Sequence, residues 1–193
     1  MPLPLYCNPS KAHDGRPVSV TDRCRIGARI PVASGADMTV LGTALHACLA
    51  LSFTDPSVPL TEDEVRKVLD GFSVAEHVSA AAVLRQIEAF HAWIVGRWPG
   101  VRSHAEIPVQ SVIPNGQILN GRIDLLLETA SGWVLFDHKS SPLGAEHWDA
   151  LATEYGPQLS SYAHALERAT GRAVQEAWLF LPVAGGGVSM RFG

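Results

Sequence analysis

Two aspartates and one lysine carry the most specific chemical signal in the 193-residue chain. The segment GRIDLLLETASGWVLFDHKSS reads as two strands joined by a turn at 129–132. A loop symmetric about the Ala130–Ser131 bond sets Asp124 opposite Asp137 across an antiparallel pair. Opposed side chains there have Cβ atoms about 4.5–5.5 Å apart, and like charges at that separation repel. A divalent cation removes the conflict, because hard Mg2+ favours carboxylate oxygens and fills its other positions with water and substrate phosphate. Lys139 follows Asp137 by two residues and so projects from the same face of its strand. Such a set suits phosphodiester hydrolysis. The metal polarises the phosphate and lowers the pKa of a water, and the lysine orients that water or steadies the developing charge. The plainer reading is an exposed hairpin with a lone salt bridge between Lys139 and one aspartate.

The elements that must hold these residues follow from periodicity. Leu41, Leu45, Cys48 and Leu49 recur at helical spacing from Met38 onward, with His46 beside them. Thr61 and Glu64 make a capping-box pattern for a helix closing at Gly71, and Ser73 with Glu76 makes a second box before a long helical segment that ends at Pro99-Gly100. From Ser103 the period becomes two: a strand carrying Ala105, Ile107 and Val109, a turn at Pro114-Asn115-Gly116, a strand over 119–127 and a third strand WVLFDHKSS. Past a loop containing Trp148, Leu159, Tyr162, Ala163 and Leu166 form one helical face that stops at Gly171. The run AWLFLPVA then reads as a buried strand reached by a helical crossover.

Composition bounds the function. At 193 residues with 47% hydrophobic and 18% charged residues, the chain fits one ordinary domain. Residues 1–36, rich in Pro, Gly, Ser and Arg, read as an extended lead-in or linker, and residues 37–193 as the domain itself. No spanning apolar run and no secretory h-region are present, so no membrane association and a cytoplasmic location are expected. A net charge of −4 excludes a free-standing polycation that grips nucleic acid by counterion release. A partner must then deliver any strand. There is no GxxxxGK[ST] loop, so ATP hydrolysis is not expected, and the triplet Gly185-Gly186-Gly187 lacks the strand-to-helix context of a nucleotide site. The three cysteines, odd in number and far apart, are ordinary thiols.

The ordered pieces GRIDLLLE, GWVLFDHKSS and YGPQLSSYAHAL resemble the PD-(D/E)XK nuclease superfamily, and within it the RecB-like and AddA-like exonuclease domain at the C-terminus of bacterial helicase-nucleases. The similarity runs from about Leu41 to Leu181. It implies an α/β, restriction-endonuclease-like core: a central mixed β-sheet flanked by helices, with a helical N-terminal half. It also implies a catalytic set of Lys139, Asp124, Asp137, Gln158 and Tyr162. Asp124, Asp137, His46, the backbone carbonyl of His138 and Glu106 would ligate Mg2+, for which Mn2+ can substitute. Tyr155, Gln158 and Tyr162 would meet the DNA.

Glu106 depends on the hairpin register. A three-residue loop over 114–116 places it opposite Asp124, whereas a two-residue turn rotates it away. Ile123 stands where the superfamily's literal name has proline, and no cysteine follows Cys48, so no iron–sulfur cluster is expected. The resemblance implies a DNA exonuclease acting on single strands passed by a helicase in cis or in trans, in double-strand break processing and repair. The alternative is a catalytically inactive module that keeps the fold and binds DNA or a protein.

Overall fold

The computed structural model describes residues 5–7, 15–55, 57–112 and 116–193. Along the chain run β1 (Tyr6–Cys7), β2 (Val18–Arg25), α1 (Met38–Ser52), α2 (Glu62–Gly71), α3 (Ala80–Arg97), β3 (Arg102–Val112), β4 (Ile118–Thr129), β5 (Gly132–His138), a 3-10 turn (Ala145–His147), α4 (Trp148–Thr170), β6 (Val174–Leu181) and β7 (Gly186–Phe192). Among the described residues, seven strands form one mixed sheet in the order β1-β4-β5-β6-β7-β2, with β3 also paired to β4. β5 and β6 run parallel, as a helical crossover through α4 requires. The expected α/β core is therefore present.

Strand alternation divides the interior into two cores. Leu125, Leu127, Phe136, Trp178 and Phe180 face α1–α3, where Leu41, Leu45, Val83 and Phe90 meet them. Leu126, Leu135, Ala177 and Leu179 face α4 and its Trp148, Leu151, Leu159, Tyr162 and Leu166. Fully burying a side chain such as Leu or Phe stabilises the fold by about 1.5–3 kcal/mol. These two faces fix the register of the central strands.

α1 begins where periodicity placed it, because the Asp37 side chain accepts from the N–H groups of Thr39 (2.8 Å) and Val40 (3.2 Å). The Thr61–Glu64 capping box is formed. The second box is not. Ser73 has φ 57° and follows the C-terminus of α2, where the Ser73 N–H reaches the Asp70 oxygen (2.9 Å) and the Val74 N–H reaches the Leu69 oxygen (3.0 Å). Ser73 thus closes one helix in a Schellman arrangement, and α3 starts at Ala80.

Two further expectations change. The sequence puts Trp148 in a loop before the helix, yet α4 begins at Trp148 and carries Pro157 inside it. Packing decides this: a Cβ at Gly156 would lie 2.7 Å from Val18 Cγ1, so the missing side chain lets α4 sit against β2. β2 itself falls within the segment read as a lead-in, and it pairs with β7, a strand the Gly-rich ending conceals. Both strands are held by ladder hydrogen bonds to neighbours, which composition does not register. The expected turn at Pro114-Asn115-Gly116 lies mostly outside the described residues.

Candidate active site

The β4–β5 ladder has the register that the symmetric loop predicts. It runs from Thr129↔Gly132 to Leu125↔Phe136, and the next facing residues are Asp124 and Asp137. Pairing stops there. Instead, the Asp124 carboxylate accepts the His138 backbone N–H at 2.7 Å, so a side chain fills the place of a ladder partner. On the other edge of β4, the β3 register is the same on both sides of one gap, Ala105↔Leu125 before it and Ile107↔Ile123 after it. Glu106 and Asp124 face each other in that gap, the placement a three-residue loop imposes.

The strands also change face at this point. Ala105 and Leu125 pack with the α1–α3 core, whereas Ile107 and Ile123 pack with the α4 core, although strict alternation would keep them together. Glu106 has a left-handed backbone, φ 55°, which makes the switch on β3. The site occupies the resulting opening in the sheet.

From the α1 side, His46 hydrogen-bonds Glu106 through Nε2, and its Nδ1 lies 3.7 Å from Asp124 Oδ2. Arg122 pairs with the other Glu106 oxygen at 2.8 Å. The His138 ring sits on the same side, between His46, Phe90 and Phe180, with Nδ1 3.9 Å from Asp124 Oδ2. His46, Asp124 and His138 each offer a ligand atom within 4.8 Å of the others. From the α4 side, Gln158 Nε2 donates to Asp137 Oδ1 at 3.0 Å, and Lys139 Nζ pairs with Asp137 Oδ2 at 2.6 Å. Nζ also lies 4.9 Å from the centre of the Tyr155 ring. Tyr162 is only 3% exposed.

The electrostatics match a site short of positive charge. Burial, then the neighbouring Asp137 charge, pushes the Asp124 carboxyl up to about 7. Burial pulls the Lys139 ammonium down, but Asp137, with Asp124 and Tyr155, more than offsets it, so Lys139 stays above the usual lysine range and charged. Burial penalises the charged form of Glu106, and hydrogen bonds from Arg122 and His46 outweigh that and hold it below the usual carboxylate range. Burial also keeps the His138 ring neutral.

This arrangement sits inside a recognised sequence pattern: residues 23–190 match the family profile of the PD-(D/E)XK nuclease superfamily. The chain belongs to that superfamily. The match takes in part of β2 and most of β7, the strands that composition concealed. The nuclease domain is also similar to proteins named as subunits of ATP-dependent helicase/nucleases. The one from Levilactobacillus brevis is 30% identical over 171 residues, covering 76% of this chain and 13% of that protein. The one from Desulforudis audaxviator is 29% identical over 177 residues, covering 82% and 14%. The one from Lactiplantibacillus plantarum is 30% identical over 160 residues, covering 72% and 12%. The chain spans about one eighth of the length of these curated relatives. No described helix is long and apolar enough to cross a membrane.

In this nuclease domain, all the sequence-derived candidates gather at one opening: His46, Glu106, Asp124, Asp137, His138, Lys139, Tyr155, Gln158 and Tyr162. Tyr155 lies within α4 rather than just before it, because the helix starts seven residues earlier. Sequence reasoning missed Arg122, although its spacing of two from Asp124 was a usable signal, and it considered only the backbone carbonyl of His138. The ring of His138 came into play only once the packing of Phe90 and Phe180 around it was visible.

Proposed function

We propose that the chain is a divalent-metal-dependent deoxyribonuclease module that hydrolyses DNA phosphodiester bonds, using Mg2+ or Mn2+. The observation that carries this reading is the convergence of Asp124, Asp137 and Lys139 at the opening of the sheet. The donors fit a divalent cation: Asp124 is a buried carboxylate whose charge is costly beside Asp137, and His46 and His138 offer nitrogens beside it. Asp124, Asp137 and His46 would hold the cation, with the His138 carbonyl, and with Glu106 after it parts from His46. A cation bound there supplies Lewis-acid polarisation of a phosphate oxygen and a lowered pKa for a water.

The protein's own groups do the rest. Asp137 fixes the charged Lys139 ammonium, Gln158 fixes Asp137, and the Tyr155 ring bounds the ammonium on its far side. Lys139 is thereby presented to the phosphate, where it orients the attacking water and stabilises the charge that develops on the non-bridging oxygens. Water attacks phosphorus in line, one P–O bond forms and the P–O bond to the leaving sugar oxygen breaks, while the water gives up a proton to solvent and the leaving oxygen takes one up from solvent. The burial of Tyr162 beside the Arg122 backbone supports a role in holding the site together rather than in meeting DNA. Contact with the strand falls to Tyr155 and Gln158.

Similarity to the named helicase/nuclease proteins supports a place as the exonuclease module of an AddA-type enzyme in cytoplasmic double-strand break processing. A helicase in cis or in trans would then feed it a single strand, consistent with a net charge of −4. The test is degradation of single-stranded DNA, with Mg2+ or Mn2+, by wild type and by Asp137→Ala. Loss in the variant is expected. Equal rates would overturn the reading and leave a nuclease fold that only binds.

A further inference from the structure

We infer that the His138 imidazole itself is a metal ligand, joining His46 and Asp124 so that two imidazoles stand beside the carboxylates in a centre that selects Mn2+ over Mg2+. This rests on the proposal that the opening is a metal centre, and it names the ion that the centre prefers. The side chain of His138 is 5% exposed, and among the described residues neither ring nitrogen has a hydrogen-bond partner. Buried polar groups of folded proteins nearly always have partners, and the exceptions mark an unfilled ligand or water.

The ring is also aimed. Phe90 and Phe180 flank it with centroids 5.9 and 5.6 Å away, which leaves no polar outlet on those sides. Its Nδ1 instead lies 3.9 Å from Asp124 Oδ2, as the His46 Nδ1 lies 3.7 Å from that oxygen. Ligand atoms about 2.1 Å from a common ion stand roughly 3–4 Å apart, so both separations fit one cation. A water alone would satisfy one nitrogen of the ring, but it would not explain why two imidazoles converge on a single carboxylate.

The chemistry then discriminates between ions. Mg2+ demands oxygen ligands and gives up its waters reluctantly. Imidazole suits first-row transition ions, so two imidazoles beside the carboxylates favour a divalent transition ion over Mg2+.

The experiment pairs calorimetric titration of the intact chain with pulsed EPR of its Mn2+ complex. Wild type should bind Mn2+ more tightly than Mg2+, and the Mn2+ signal should show coupling to two imidazole nitrogens. His138→Phe, which keeps an aromatic ring between Phe90 and Phe180, should weaken Mn2+ roughly 10-fold or more and leave Mg2+ nearly unchanged. Coupling to one nitrogen in wild type, or equal weakening of both ions in the variant, overturns the inference. The EPR count on wild type decides the matter even if the variant does not fold. A wild type that binds both ions equally overturns only the selectivity, whereas one that binds neither overturns the metal centre as well.

Discussion

Replacing Asp124 by asparagine should stabilise the metal-free protein at alkaline pH while destroying its function. The Asp124 side chain is 11% exposed, and its carboxyl is raised from 3.8 to about 7 by burial and by Asp137. Roughly three units at 1.36 kcal/mol each set a ceiling of about 4 kcal/mol. Because the folded state holds this proton more tightly than the unfolded chain, the group's contribution is complete below about pH 4 and is lost as pH rises through about 7. At pH 8 the metal-free wild type therefore carries the Asp124 charge in a buried place beside Asp137. Asparagine keeps an oxygen for the His138 N–H and cannot ionise. It also gives up attraction to His46 and Lys139, so a net gain of about 1–3 kcal/mol at pH 8 is expected. The gain should vanish near pH 4.

Urea denaturation in EDTA, followed through the five tryptophans, measures the difference directly. Saturating Mn2+ should reverse the order, because an ion at 100 times its Kd stabilises the folded state that binds it by about 2.7 kcal/mol. A variant less stable than wild type at pH 8 in EDTA would refute the reasoning. So would a metal that stabilises both proteins alike.

Lys139→Met should lower the turnover of single-stranded DNA by about 100- to 1000-fold, as loss of one transition-state donor does, with Mn2+ affinity retained in calorimetry. Glu106→Gly should be more stable than Glu106→Ala by about 1 kcal/mol in thermal denaturation, since both lose the carboxylate but only alanine keeps a Cβ at φ 55°. Gly186→Ala should cost about 1–3 kcal/mol on the same assay, because its Cβ would lie 2.1 Å from Trp148 Cη2 and 2.7 Å from the Cys24 backbone oxygen.

Local signals proved legible where the determinant is local. The Thr61–Glu64 cap, the start at Met38 and the symmetric turn after Thr129 each rest on a few neighbouring residues, and the structure holds all three. Elements fixed by distant partners were hidden. β2 is a strand because β7 pairs with it, and α4 passes through Pro157 because Gly156 admits Val18. Ser73–Glu76 matches a capping box in sequence, but termination of the preceding helix claims Ser73 first. In the site, the facing of Asp124 and Asp137 followed from turn symmetry, whereas the Arg122–Glu106 pair and the orientation of the His138 ring depend on side chains from separate elements.

The opening in the sheet explains why the two halves of the site were legible to different degrees. A fully paired sheet would keep α1 and α4 apart, since alternating side chains serve one face or the other. Residues from both helices meet only because pairing lapses at Asp124 on both edges of β4. Asp124 helps to maintain the lapse, by engaging the His138 N–H at 2.7 Å, and Glu106 supplies the change of face on β3 through a backbone strain of about 1–3 kcal/mol. Asp137, Lys139 and the α4 residues obey simple periodicity, so the sequence places them. Glu106 and Asp124 break it, and the contacts that depend on that break, Arg122 to Glu106 and the His138 ring beside Asp124, become visible only in three dimensions. The departure from regular alternation is thus what lets one sheet bring His46 and Gln158, from helices on opposite faces, to a single opening.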